Sequence, residues 1–138
     1  MIQQIINNLI TDRYYCATMN QKWSKPISNP IETPWFTWIQ SGEKKYEGRI
    51  RRGDWKKIKI GDEITFTCEG NSVVTLVTEL IYYNNFRSAC EDLGTLLVPH
   101  EPSLDKREAC YTKIYHKTVD IDNIEKKGVV AVGLSVIN

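Results

Sequence analysis

Two long runs rich in β-branched residues constrain the fold of this chain most strongly. SVVTLVTELIYY covers residues 72–83, and GVVAVGLSVI covers residues 128–137. Such side chains favour strands because they pack well on a pleated surface, and the second run predicts a buried core strand. A third stretch, EITFTC, lies between the turn signals Gly61–Asp62 and EGN at 69–71. EITFTC and SVVTLVTEL are therefore predicted to form a hairpin.

Short helical segments are predicted between the strands. They are TPWFTWIQS at 33–41, FRSACEDL at 86–93 and LDKREACYTKIYH at 104–116. Thr33 can cap the first helix, and Gly42 suits its end because glycine readily adopts the left-handed conformation of a C-terminal cap. Asn84 or Asn85 can cap the second helix.

The pattern of about five strands interleaved with short helices predicts one α+β domain. Its centre is expected to be a small, twisted, mostly antiparallel β-barrel with short flanking helices. The ordered core is predicted to begin near Pro30. Residues 1–10 have helical apolar spacing, whereas residues 20–30 are polar and contain two prolines. We therefore predict an N-terminal extension made of a short helix and a linker or surface loop.

Composition excludes several classes of protein. No apolar run reaches the roughly 20 residues of a membrane helix, and the N-terminus lacks the basic start of a signal peptide. Cys16, Cys68, Cys90 and Cys110 are widely spaced without a CxxC pair, so we expect no metal site and no cofactor. Cysteines without a secretion signal indicate free thiols and an intracellular location, cytoplasmic or nuclear.

Residues 43–59, EKKYEGRIRRGDWKKIK, have an unusual local charge. The segment holds eight basic and three acidic residues, which gives +5 in a chain of formal net charge +1. A positive field this local indicates an anionic partner, most simply nucleic acid, and Trp55 can stack on a base. The alternative is a solvated basic loop that maintains solubility. The predicted phosphate contacts are Arg51, Arg52, Lys56, Lys57 and Lys59.

Lys44, Glu47 and Arg49 are the candidate ligand site within that segment. A lysine acts as nucleophile or base only if its pKa falls well below about 10.4, through burial or nearby cations. Alternatively, Glu47 is the general base and Lys44 stabilises an oxyanion. The alternative is that Glu47 and Arg49 form an ion pair that is only structural and bind no ligand. A regular strand would place Lys44 and Glu47 on opposite faces, so a shared site requires the turn after Gly42 to redirect Lys44.

Aromatic residues are the remaining candidates for this site. Tyr111 and Tyr115 lie one helical turn apart, and both hydroxyls could face the site. Core tyrosines with exposed tips are the simpler explanation. Trp35, Phe36 and Trp38 are predicted core residues, one of which can form the floor of a pocket beside the turn.

The order of several segments resembles the ASCH domain family, which has a PUA-like β-barrel fold. The segments are PWFTWIQSGEKKYEGRI, KIGDEITF, LVTELIYYNNF, YTKIY and GVVAVGLSVI. The resemblance covers residues 30–138 and leaves residues 1–29 as an extension. It implies association with RNA or nucleotides. Some small bacterial members are amidohydrolases that remove the acetyl group from N4-acetylcytidine.

Those hydrolases use a lysine in a GxK turn, a threonine three residues later and a more distant glutamate. Lys44 matches the lysine, Glu47 stands at the threonine position, and Arg49 fits the Glu-x-Arg pattern of other members. Glu91 is the candidate for the distant glutamate. Three hypotheses follow: binding of RNA or a nucleotide, hydrolysis of a modified nucleoside by Lys44 and Glu47, and a protein-interaction module whose partner docks on the N-terminal segment.

Overall fold

Five strands form one curled sheet in the computed structural model, which describes residues 19–137. They are β1 (Lys22–Pro26), β2 (Tyr46–Ile50), β3 (Glu63–Cys68), β4 (Asn71–Tyr83) and β5 (Val129–Ile137). The order across the sheet is β1-β3-β4-β5-β2. The β1–β3 pair is parallel and the other pairs are antiparallel. This half-barrel with flanking helices confirms the predicted α+β, mostly antiparallel fold.

The predicted hairpin and core strand are both present. β3 and β4 are joined at Glu69 and Gly70, which have positive φ values of 49° and 84°. Two consecutive residues with positive φ match the right-handed twist of the paired strands. β5 lies between β4 and β2. Its side chains alternate between two apolar cores: Val129 packs against the helices, whereas the next residue, Val130, packs within the half-barrel. Both faces of β5 are therefore buried.

Four helices flank the sheet in the described part of the chain. They are α1 (Trp35–Ser41), α2 (Phe86–Leu93), α3 (Leu104–Thr112) and α4 (Thr118–Lys127). Gly42 ends α1 with φ 81°, as predicted, but Thr33 does not cap it, because Pro34 holds the cap position. The side chain of Asn85 caps α2 by accepting from the backbone N–H of Ser88 at 2.8 Å.

One prediction about the helices is wrong, and one helix was missed. α3 ends at Thr112, short of the expected residue 116. α4 was not predicted, because its sequence TVDIDNIEKK is rich in Asp, Asn and β-branched residues of low intrinsic helix propensity. Tertiary contacts compensate for that low propensity: the buried carboxylate of Asp120 pairs with Arg52 at 3.0 Å and holds α4 near β2.

The predicted linker at residues 20–30 is wrong at Lys22–Pro26, which form β1. Asp62 holds this strand in place. Its carboxylate is buried and accepts from the backbone N–H of Gln21 and from Nε1 of Trp23, both at 2.9 Å. It also accepts from the backbone N–H of Lys59 at 2.9 Å. Because β1 pairs in parallel with a distant strand, no hairpin turn marks it in the sequence, and Pro26 is tolerated because it lies at the end of an edge strand.

The predicted helix at residues 1–10 lies outside the described residues, as does Cys16. The division between an extension at 1–29 and a domain at 30–138 stays a prediction. Cys68, Cys90 and Cys110 are free thiols, as expected. Within residues 19–137, no helix has the length and apolar character needed to cross a membrane.

Asp62→Ala is expected to lower the free energy of unfolding by about 3 kcal/mol, because three N–H groups lose the buried, charged acceptor that they share. Chemical denaturation monitored by tryptophan fluorescence measures the change. Asp122→Ala, an exposed aspartate on α4, is the control and should change stability little. Equal stabilities for the two variants would contradict a structural role for Asp62.

Candidate ligand-binding site

The turn between α1 and β2 redirects Lys44. The backbone N–H of Lys44 donates to the carbonyl of Trp38 at 2.9 Å, and the next N–H donates to Leu96 at 2.8 Å. β2 begins only at Tyr46, so strand alternation does not reach Lys44. As a result, Nζ of Lys44 lies 3.6 Å from Oε1 of Glu47. The geometry that a shared site requires is present.

Lys44 is buried beneath the helices, with 1% of its surface exposed. Its Nζ donates to the carbonyl of Leu97 and to the hydroxyl of Tyr111, the latter at 3.3 Å. It also lies 4.7 Å from the ring centre of Trp35. Burial lowers the pKa of Lys44 to about 8, although the charge of Glu47 acts in the opposite direction. Lys44 can therefore lose its proton and become a neutral amine near neutral pH.

Glu47 is a buried carboxylate whose two oxygens have different partners. Oε2 accepts from Nε and Nη2 of Arg49, at 3.0 and 2.9 Å. The Arg49 guanidinium in turn lies over the ring of Trp55, 4.7 Å from its centre. Oε1 faces Lys44 at 3.6 Å, beyond ordinary hydrogen-bond distance. Oε1 can therefore accept a hydrogen bond from a ligand.

A cavity of about 190 Å³ opens beside this carboxylate. Trp35, Glu47, Arg49, Tyr111 and Tyr115 line it, whereas Lys44 lies behind the wall that Glu47 and Tyr111 form. The wall continues through residues 26–28, Gly48 and Ile114. The Tyr111 hydroxyl is 3.0 Å from the position that a Cβ at residue 48 would take, so any larger residue there would push the tyrosine away by a few tenths of an ångström. The cavity is thus polar at one wall and aromatic at the others.

Phe86 fixes the two tyrosines of the cavity. Its ring is stacked between Tyr111, at 4.4 Å between centres, and Tyr115, at 5.1 Å. Burial raises the pKa of Tyr111 well above its usual value, and it also raises the pKa of Tyr115. Both hydroxyls therefore stay protonated near neutral pH and can donate hydrogen bonds into the cavity.

The structure separates the predicted phosphate contacts into two groups. Arg52 is neutralised by Asp120 at 3.0 Å. Among residues 19–137, Arg51, Lys56 and Lys57 form no salt bridge, and all three are exposed. Lys59 is also exposed. The positive field that faces solvent is therefore smaller than the sequence count suggests.

Two outcomes correct the choice of site residues. Glu91 is exposed on α2 and does not line the cavity, so it is not a second carboxylate of this site. The wall at residues 26–28 was missed, because that part of the chain was assigned to a linker. Trp23 and Ile27, both half-buried in a mostly polar run, were the signals of a packed segment there.

Comparisons with known proteins agree with this fold. A family model described as the ASCH domain matches residues 30–135. The crystal structure of hypothetical protein PH0355 is 29% identical, with a TM-score of 0.71 over 84% of this chain and 99% of that chain. The solution NMR structure of protein PF0455 from Pyrococcus furiosus is 27% identical, with a TM-score of 0.66 over 85% of this chain and 98% of that chain. A search among curated proteins finds no match.

The buried Lys44 makes stability depend on pH. Below pH 8 the folded and unfolded chains both hold the lysine proton; between about pH 8 and 10.5 only the unfolded chain keeps it. The free energy of unfolding should therefore rise with pH across this window, by roughly 3 kcal/mol relative to Lys44→Met. Denaturant unfolding at several pH values measures this difference.

Lys45→Met is the matched control, because Lys45 is the adjacent lysine and is exposed. It should keep the pH dependence of the unaltered protein. A Lys44→Met variant with that same pH dependence would contradict a lowered pKa for Lys44.

Proposed function

Because this chain belongs to the ASCH domain family, we propose that it binds a nucleobase of RNA, or of a free nucleotide, in the cavity beside Glu47 and Arg49. The observation that supports this most is the buried Glu47 carboxylate, which Arg49 holds through Oε2 while Oε1 remains able to accept. A carboxylate oxygen accepts well from an exocyclic amino group such as N4 of cytosine. The base is therefore one with an amino group.

The size and walls of the cavity suit a single planar ring. Its volume of about 190 Å³ is below the roughly 300 Å³ at which pockets for drug-sized ligands begin. That space holds a base but not a whole nucleotide. Trp35 and Tyr115 provide aromatic surface, and proteins bind unpaired bases by stacking on such side chains. The sugar and phosphate of the ligand must then lie outside the cavity, where the exposed cations of the basic segment can reach them.

Glu47→Gln is expected to weaken binding of the preferred nucleoside by at least about tenfold, because the amide replaces a charged acceptor and frees Arg49 from its partner. Isothermal titration with a panel of nucleosides, and with short single-stranded RNA, gives the affinities. Glu91→Gln, at an exposed glutamate on α2, makes the same chemical change outside the cavity and should bind normally. Equal affinities for the two variants would argue against a base at Glu47.

A second candidate function is hydrolysis of an acylated amino group on the same base. The cluster that Lys44 forms with Glu47 and Tyr111 favours it. In this reaction Glu47 removes a proton from water as the water oxygen bonds to the acyl carbon. The Tyr111 hydroxyl donates to the developing oxyanion. The carbon–nitrogen bond then breaks, the proton passes to the departing amine, and a carboxylic acid is released. Lys44 positions Glu47 from behind the cavity wall.

N4-acetylcytidine tests the second candidate directly. If the protein hydrolyses it, Lys44→Met should reduce the rate at least about a hundredfold, because Glu47 loses its buried cation, whereas Lys45→Met should not. Chromatography of the cytidine produced measures the rate. Absence of turnover at high protein concentration removes this substrate from consideration, and it leaves the binding proposal to be judged by titration.

A further inference from the structure

A second groove, of about 330 Å³, lies where β2 ends. It is bounded by the end of β4 and by the C-terminal turn of α4. Its polar and aromatic lining residues include Arg51, Tyr82, Asn84, Glu125, Lys126 and Lys127. Neither the family match nor the cavity beside Glu47 accounts for this groove.

Backbone contacts hold the walls of the groove together. The N–H of Arg51 donates to the carbonyl of Gly128 at 3.0 Å. Val129 pairs with Ile50 on one side and with Tyr83 on the other. At Gly128 the φ angle is 73°, and a Cβ there would stand 2.7 Å from the carbonyl oxygen of Tyr83. Three segments from distant parts of the sequence are thus fixed against one another, which makes the groove preorganised.

The groove pairs a cation with an exposed aromatic ring. The Arg51 guanidinium lies 4.6 Å from the ring centre of Tyr82, and 55% of Tyr82 is exposed. A large exposed ring held by an arginine is a platform on which an unpaired base can stack. The N–H groups of the same guanidinium can bind a phosphate.

The charge of the groove is not neutralised by the surrounding protein. Arg51, Lys126 and Lys127 line it together with one carboxylate, Glu125. Within the described residues none of these three cations forms a salt bridge, in contrast to Arg49 and Arg52. The two lysines also complement the dipole of α4, but Arg51 lies outside that helix, so the dipole does not explain the cluster.

β2 connects the groove to the cavity beside Glu47. Arg51 directly follows β2 and lies two positions beyond Arg49, a distance of about 6.6 Å along an extended chain. Each arginine lies over an aromatic ring, Arg49 over Trp55 and Arg51 over Tyr82. Arg49 lines the cavity and Arg51 lines the groove, so a ligand that leaves the cavity along β2 reaches the groove next.

We propose that the groove is a second subsite for single-stranded RNA and takes the nucleotide next to the one in the cavity. Arg51, Lys126 and Lys127 bind its phosphate, and Tyr82 stacks on its base. This inference rests on the proposed nucleobase site and extends it from one base to a strand.

The test compares a single nucleoside with a short single-stranded RNA that contains it, both titrated against the full chain over a range of salt concentrations. The double variant K126Q/K127Q should bind the RNA about tenfold more weakly. It should also lower the magnitude of the slope of log K against log salt by about 0.7, the contribution of one phosphate in a single strand. Tyr82→Ala should weaken RNA binding about tenfold with little change in that slope. Affinity for the nucleoside should be unchanged in both variants.

The double variant K22Q/K106Q is the matched control, because it removes the same charge at two exposed lysines outside the groove. It should bind RNA nearly as well as the unaltered protein. If RNA affinity and slope are unchanged in the groove variants, the subsite is refuted and the nucleobase site stands. The same conclusion follows if affinity and slope fall equally in the control. A parallel loss of nucleoside affinity also refutes it, because the groove would then support the cavity. If the unaltered protein binds neither nucleoside nor RNA, both proposals fail.

Discussion

The buried charged residues Lys44, Glu47 and Arg49 connect the two faces of the sheet. Lys44 lies among the aromatic residues under the helices, whereas Arg49 reaches over Trp55 on the other face of the sheet. Burying charged groups costs several kcal/mol each unless good partners compensate, and an apolar core of similar volume is often as stable. Stability alone therefore does not explain an array that mixes two cations with one carboxylate beside a cavity.

The cavity exists because hydrogen bonds between strands do not close the half-barrel. β1 and β2 are the two edges of the described sheet, and side chains rather than strands bridge the gap between them. Nη2 of Arg49 donates to the carbonyl of Pro26 at 3.5 Å, and Lys25 lies 5.7 Å from the ring centres of both Trp23 and Trp55. Cations and aromatic rings thus alternate along the open side. The same gap that leaves two edges unpaired opens the cavity beside Glu47.

Local sequence signals predicted the elements whose causes are local. The hairpin at Glu69 and Gly70, the end of α1 at Gly42 and the cap at Asn85 all depend on residues within a few positions of the feature. β1 and α4 escaped prediction for the opposite reason. β1 exists through its parallel pairing with β3 and the contacts of Asp62, and α4 packs near β2 through Asp120, and none of these contacts leaves a periodic pattern.

The sequence alone determined the α+β class and the order of most elements, because residue type and spacing carry that information, and it singled out Lys44, Glu47 and Arg49 as candidates. Only the tertiary structure decided which charges remain available. It buried Lys44 behind the cavity wall, neutralised Arg52 with Asp120 and left Arg51 over Tyr82. The physical reason is that a charge acts according to its burial and its partners, and the sequence brings those partners from distant positions.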